Sequence, residues 1–196
     1  MFSFVKLATV AAIALGAITA VCGAPHPADV AEVKRQTSSL TTILADLAAE
    51  LAPSAAQLSS LNSKNATMET ISPIVSRIST SVQNSMTQIK ALPAQGNKVT
   101  SDEVASGLNN VMQTVLVPAK NVMAIRGVDS AIIIPAFLPL GVILDGLVGA
   151  VLITVGELVF VVKATLATLL GGLTAVIFDL GFTTLISTLG LVLGLL

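Results

Sequence analysis

Between residues 40 and 51 the apolar positions fall at Leu40, Ile43, Leu44, Leu47 and Leu51. That 3-and-4 spacing lines one face of an α-helix. Pro53 ends or kinks the run, and a short second run holds Leu58 and Leu61. Ser72 followed by Pro73 reads as an N-cap and a first-turn proline. Ile71, Ile74, Val75, Ile78, Val82, Met86 and Ile89 continue the same face. The stretch LPAQGNK, around Pro93 and Gly96, is a turn. Thr100 with Glu103 fits a capping box. Val104, Leu108, Val111, Met112 and Val115 then form a third stripe, with Pro118 near its end. Three helices with narrow stripes of Leu, Ile and Val predict an antiparallel bundle or a coiled-coil-like hairpin.

After Gly127 the pattern changes. Residues 36–127 hold six basic and five acidic side chains and twenty-two Ser or Thr, with no aromatic residue. Residues 128–196 hold forty-four Ala, Val, Ile, Leu or Phe in 69 positions, and only Asp129, Asp145, Glu157, Lys163 and Asp179 carry charge. The uncharged stretches there all fall short of the 18 residues that argue for a spanning helix. Pro135 and Pro139 break the first of them, glycines punctuate the rest, and no Trp, Tyr or basic cluster marks a membrane boundary. Segments apolar on every side must be buried somewhere. A few short helices cannot bury these residues among themselves, so the segment is expected to find another phase: an oligomer, a bilayer, an air–water boundary or a solid apolar surface. The Leu, Ala and Gly content favours helix. The alternative is strand, because SAIIIPAF, VLITV, ELVFVV and TAVIF are β-prone and bounded by breakers. Gly171 and Gly172 suggest a helical hairpin that would set Lys163 level with Asp179 as an ion pair; the alternative is one helix running through the glycines. The fold class expected is all-α, an amphipathic bundle or hairpin followed by a strongly hydrophobic helical region.

The first residues have the layout of a secretory signal. Lys6 precedes the apolar run LATVAAIALGAITAV, Leu7 to Val21, and small residues follow. Cleavage is expected after Gly23, with Ala20 a close second, and an uncleaved anchor is the alternative. Lys34-Arg35 is the only dibasic pair in the 196 residues. A secretory-pathway protease that reads such pairs would leave Gln36 as the new N-terminus; otherwise the two are neighbours on a solvated turn. The expected organisation is therefore signal peptide 1–23, propeptide 24–35, polar helical region 36–127 and hydrophobic region 128–196. Asn65-Ala66-Thr67 is the one N-glycosylation sequon, in the polar linker LNSKNATME.

Chemistry is excluded more readily than assigned. Cys22 and His26 are the only Cys and His, and both precede the dibasic pair. A mature chain without them has no thiol or imidazole nucleophile, no disulfide and no Cys/His metal site. No nucleophile elbow, phosphate loop, dinucleotide fingerprint or zinc-protease motif occurs. Glu157 with Asp145 or Asp179 reads as helix-end charge rather than as a catalytic pair. A net charge of -1 offers no basic face for nucleic acid. No catalytic residue, cofactor or metal is expected.

Signal peptide, KRQ junction, Ser/Thr-rich polar half and nearly uncharged apolar half together resemble a family from mushroom-forming fungi. It is the family of the abundant secreted aerial-hypha wall protein of Schizophyllum, which lacks the eight-cysteine pattern of hydrophobins. The resemblance covers the whole chain, as architecture and composition. It implies an extracellular, cell-wall-associated protein that coats hyphae, supports aerial growth and attaches to hydrophobic surfaces, with self-association and with wall polymers or lipid as partners. A weaker similarity is to fungal hydrophobic-surface-binding helical proteins, which lack so long an apolar tail. Two other readings stand beside it. One is an integral membrane protein with the polar half outside; the other is a membrane-inserting toxin or effector. A glycolipid-anchor signal would need a small-residue site and a polar spacer upstream of the apolar tail, and no such spacer is present.

Overall fold

Ser39 opens the first helix: its hydroxyl accepts the Thr42 N–H at 3.2 Å, which satisfies one of the first-turn donors. In the computed structural model, which describes residues 39–93 and 99–191, every element is helical. They are α1 (Leu40–Ser59), α2 (Met68–Lys90), α3 (Ser101–Met123), α4 (Ser130–Val155), α5 (Val159–Leu169), α6 (Thr174–Asp179) and α7 (Thr183–Leu189). Short 3-10 turns at Gly156–Leu158 and Gly171–Leu173 join α4 to α5 and α5 to α6. The chain divides into two units between Gln36 and Thr37, and the description concerns the second. The expected leader over 1–23, the propeptide over 24–35 and the Lys34-Arg35 pair lie outside the described residues.

The stripes read from the sequence do face inward, but the elements are longer than expected. Pro53 does not end α1, which runs to Ser59 and takes Leu58 into the same face. The second helix starts before Ser72: Thr67 is its N-cap, accepting the Thr70 N–H at 3.3 Å, and Pro73 lies inside it. Pro118 lies inside α3, and Pro135 and Pro139 lie inside α4 rather than breaking it. A helix-interior proline costs about 3 kcal/mol, mainly through the carbonyl it leaves without a donor. Pro53, Pro73, Pro135 and Pro139 are all exposed, so water reaches that carbonyl. The segments that read equally as strand, including VLITV, ELVFVV and TAVIF, are helical or in 3-10 turns.

The capping box is formed. The Thr100 N–H and hydroxyl both donate to Glu103 Oε2, at 3.1 and 2.9 Å, and the Glu103 N–H donates to the Thr100 hydroxyl at 3.3 Å. These bonds to Thr100 hold the Glu103 carboxyl below the ordinary carboxylate range. A carboxylate lowered on folding contributes its stabilisation above the unfolded value, and that contribution is lost as pH falls through the folded value. Acidification is therefore expected to lower amide protection in the first turn of α3, measured against the intrinsic exchange rate at each pH, and Glu103→Gln to flatten that pH dependence. The measurement is hydrogen exchange at Asp102–Ala105 between pH 6 and pH 3, and identical acid responses in the two proteins would contradict the assignment.

Helices α1 and α2 run antiparallel, tied by Arg77 donating to Gln57 and by Ser81 donating to Glu50 at 2.6 Å. Helix α3 lies on the other side of α1, where Gly107 lets Leu44 approach to 3.1 Å of the position a Cβ would take. Helix α4 lies beside α2 and parallel to it: Ser72 is near Pro135, Met86 meets Gly146, and Lys90 is near Ile153. Helix α5 packs on α3, and α7 packs under α4. The composition switch near Gly127 falls in the loop between α3 and α4, where Gly127 has φ 84°. Packing continues across it. One apolar core contains Leu44 of α1, Ile78 of α2, Leu108 of α3, Leu144 of α4 and Leu185 of α7. The apolar half thus buries much of itself against the polar half, a partner that the sequence reading had left out.

Candidate functional site

What the core leaves outside is a row of apolar side chains along α4. Ile132, Pro135, Pro139, Val142, Gly146, Gly149 and Ile153 follow one another at alternating steps of three and four, which keeps them on one face. Val142 is 68% exposed and Ile153 81%. Beyond the bend at Gly156, where φ is 56°, α5 adds Phe160 at 85% exposure and Val161 at 50%. The inward face of α4 carries Phe137, Leu140, Leu144 and Leu147, all fully buried. The row itself borders α2, with Pro135 and Pro139 near Ser72 and Gly146 against Met86, so the apolar surface left to water is Ile132, Leu138, Val142 and Ile153, continued by Phe160 and Val161. Scattered exposed Leu or Val side chains are ordinary on soluble proteins, whereas a contiguous row marks an interaction surface.

The charges near this face are few. Lys90 at the end of α2 lies beside Ile153, Asp145 is half-buried and Glu157 exposed, while Lys163 on α5 is half-buried. Among the described residues these do not make a basic cluster of the kind that draws amphipathic helices to anionic lipid.

No family model, no curated protein and no solved structure matches this chain.

The residues singled out from sequence are placed as follows. Lys163 sits on α5 and Asp179 ends α6, exposed, and no ion pair joins them. The glycines do interrupt the helix, but α6 is only six residues long and packs toward α7 and α3 instead of folding back along α5. The two charges are therefore not brought level. Asn65 lies in the exposed turn between α1 and α2. Its Oδ1 accepts the Asn62 N–H at 2.6 Å, and the sequon's Thr67 caps α2. The Asn65 Nδ2, the atom a glycan would join, makes no hydrogen bond with the described residues. Among the described residues no three His, Cys, Asp or Glu side chains converge as metal ligands. A cavity of about 500 Å³ lies between the end of α3, the start of α4 and α6, with Lys120 and Asp179 at its lip and Met123, Ile134 and Val176 inside.

The exposed row itself was not marked by sequence reasoning, which had split the region at its prolines and charges. The signal was present: a 3-4 period runs unbroken from Ile132 to Ile153 once Pro135, Pro139 and the glycines are counted as apolar positions.

Proposed function

We propose that the protein is a secreted, surface-active structural protein of the fungal cell wall or hyphal surface. It works by partition or self-assembly of its apolar helices at hydrophobic boundaries, in aerial growth and attachment. The observation that carries this reading is the exposed apolar row from Ile132 to Ile153 and on to Phe160, without a basic cluster. Such a face gains roughly 25 cal/mol for each Å² of apolar surface it removes from water, whatever the chemistry of the uncharged phase it meets. The Ser/Thr-rich α1 and α2 present the hydrated side, and Asn65 stands among them as a glycan acceptor. The fungal setting comes from the likeness in layout described above. The reading needs no catalysis, cofactor or metal.

The experiment is adsorption of the purified protein to a clean air–water surface, followed by surface tension, together with its distribution among medium, wall and membrane fractions. The expected result is a fall in surface tension at submicromolar protein and recovery from medium or wall extract. Recovery only in membranes would favour the second reading, an integral membrane protein with the polar helices outside. That reading has its own observation: the helical run Ser130–Leu169 is long and apolar enough to cross a bilayer, although 56% of its most apolar window is buried inside the bundle.

A further inference from the structure

The seam between α2 and α4 is built differently from the rest of the core. Helix α2 sends Ile71, Ile74 and Ile78 to the buried interior, and it meets α4 along a flank that mixes serines with Met68, Val75 and Met86. There Ser72, Ser76 and Ser79, with Met68 and Val75, face Pro135, Ala136 and Pro139 across a cavity of about 370 Å³. The Ser79 hydroxyl is buried with no hydrogen-bond partner, and neither proline has an N–H to offer it. Further along α4, Gly146 lies against the Met86 sulfur, 3.1 Å from where a Cβ would stand. The unpaired hydroxyl and the unfilled cavity subtract from what the contact contributes.

We infer that the bundle opens along the α2–α4 seam when it meets an apolar boundary, and that the open form is the one that spreads. This inference rests on the surface-active function proposed above and supplies its conformational step. Helices α4 to α7 swing away from α1–α3 about the 124–129 loop, giving up the packing of α4, α5 and α6 on α3 as well as the seam; Gly127 in that loop already takes a backbone conformation that few other residues tolerate. In water, opening exposes Phe137, Leu140, Leu144 and Leu147, so the closed bundle dominates. At an apolar boundary the same side chains exchange one apolar surrounding for another, while the Ser79 hydroxyl becomes free to find a partner. The boundary therefore favours the open state over the closed one, and a population shift requires that difference in affinity. Helices α1, α2 and α3 remain packed, because α1 touches both of the others.

The test ties the seam shut. Met86→Cys and Gly146→Cys, in a Cys22→Ser background of the full chain, place two thiols across it. The shorter side chain at 86 makes room for the one added at 146. A short bis-maleimide joins them, and the rate at which surface tension falls is the readout. A second linked pair, Gln57→Cys with Arg77→Cys, lies between α1 and α2 at two exposed side chains that already meet and leaves the seam free. With an open form of ~10% or less in water, linking 86 to 146 is expected to slow adsorption at least ~10-fold. Unlinked protein and the 57–77 link keep the wild-type rate. Equal rates for linked and unlinked 86–146 protein overturn the inference. If wild type and unlinked protein both fail to adsorb, the proposed function falls, and the opening with it. Should the cysteine pair not fold, Ser79→Leu carries the same test by filling the cavity. A higher unfolding midpoint with slower adsorption supports the seam; a higher midpoint with unchanged adsorption overturns it.

Discussion

Gly141→Ala is expected to destabilise the protein by about 1–3 kcal/mol, the ordinary cost of an extra carbon in a closed core. A Cβ at residue 141 would stand 2.5 Å from Phe182 Cδ1, 2.8 Å from Cγ and 3.2 Å from Cβ of the same side chain. No real side chains approach so closely. Phe182 cannot retreat easily, since it is 2% exposed and sits at the junction where α6 turns into α7. Its own N–H is fixed to the Ile177 carbonyl at 3.1 Å, and its carbonyl accepts from Ile186 at 3.0 Å. The strain should therefore be expressed as displacement of α7 from α4. Chemical denaturation of wild type and variant gives the size of the effect. Phe182→Ala makes the argument specific. Alone it deletes a buried ring and is destabilising; combined with Gly141→Ala it removes Cγ and Cδ1, the two carbons nearest the added methyl. The double variant should be more stable than the sum of the two losses allows, by ~1 kcal/mol or more of coupling. Strict additivity would show that Gly141 and Phe182 are not the contact that matters.

Neither residue of that pair is conspicuous in the sequence. Gly141 is one glycine among many in the apolar half, and Phe182 has no periodic relation to it across 40 intervening positions. What was legible lies in local chemistry. The stripes of α1, α2 and α3, the Thr100–Glu103 box and the helical bias of the apolar half all follow from spacing and side-chain type within one turn or two. Helix ends were less legible wherever proline intervened, because the cost of an interior proline depends on whether its side of the helix is wet. Pro53, Pro135 and Pro139 face water, a fact that only the tertiary arrangement supplies.

The place of the apolar half was the least legible feature, for a definite reason. An apolar stripe announces that a helix buries one face, but not which partner it meets: α2 receives α4 on Val75 and Met86 of its stripe together with Ser72, Ser76 and Ser79. The serines leave no hydrophobic signal, and the stripe is equally satisfied by α1. The seam was therefore only half marked by periodicity, and α4 to α7 read as a tail in search of another phase. The same reasoning explains why the exposed row was missed. It becomes a face only when the helix is continuous from Ser130 to Val155.

That row sets the largest functional effect. Val142→Ser, Ile153→Ser and Phe160→Ser together are expected to remove most of the adsorption to apolar surfaces while leaving the fold intact. In the closed bundle these three side chains are already mostly in water, so replacing them takes little from the core. Surface substitutions of this kind stay within about 0.5 kcal/mol each, and serine has a helix propensity close to those of valine, isoleucine and phenylalanine. At an apolar boundary the account reverses. Each large side chain transferred out of water is worth roughly 1.5–3 kcal/mol, and serine recovers almost none of it. The triple variant therefore forfeits on the order of 4–6 kcal/mol of partition free energy, about three to four powers of ten in the adsorption constant. The measurements are the protein concentration needed for half-maximal lowering of surface tension and the thermal unfolding midpoint, taken on the same samples. A large shift in the first with a constant second locates the working surface on α4 and α5. If instead both stay constant, the first contact with the apolar phase is made elsewhere on the molecule, and the row along α4 and α5 loses its assigned role.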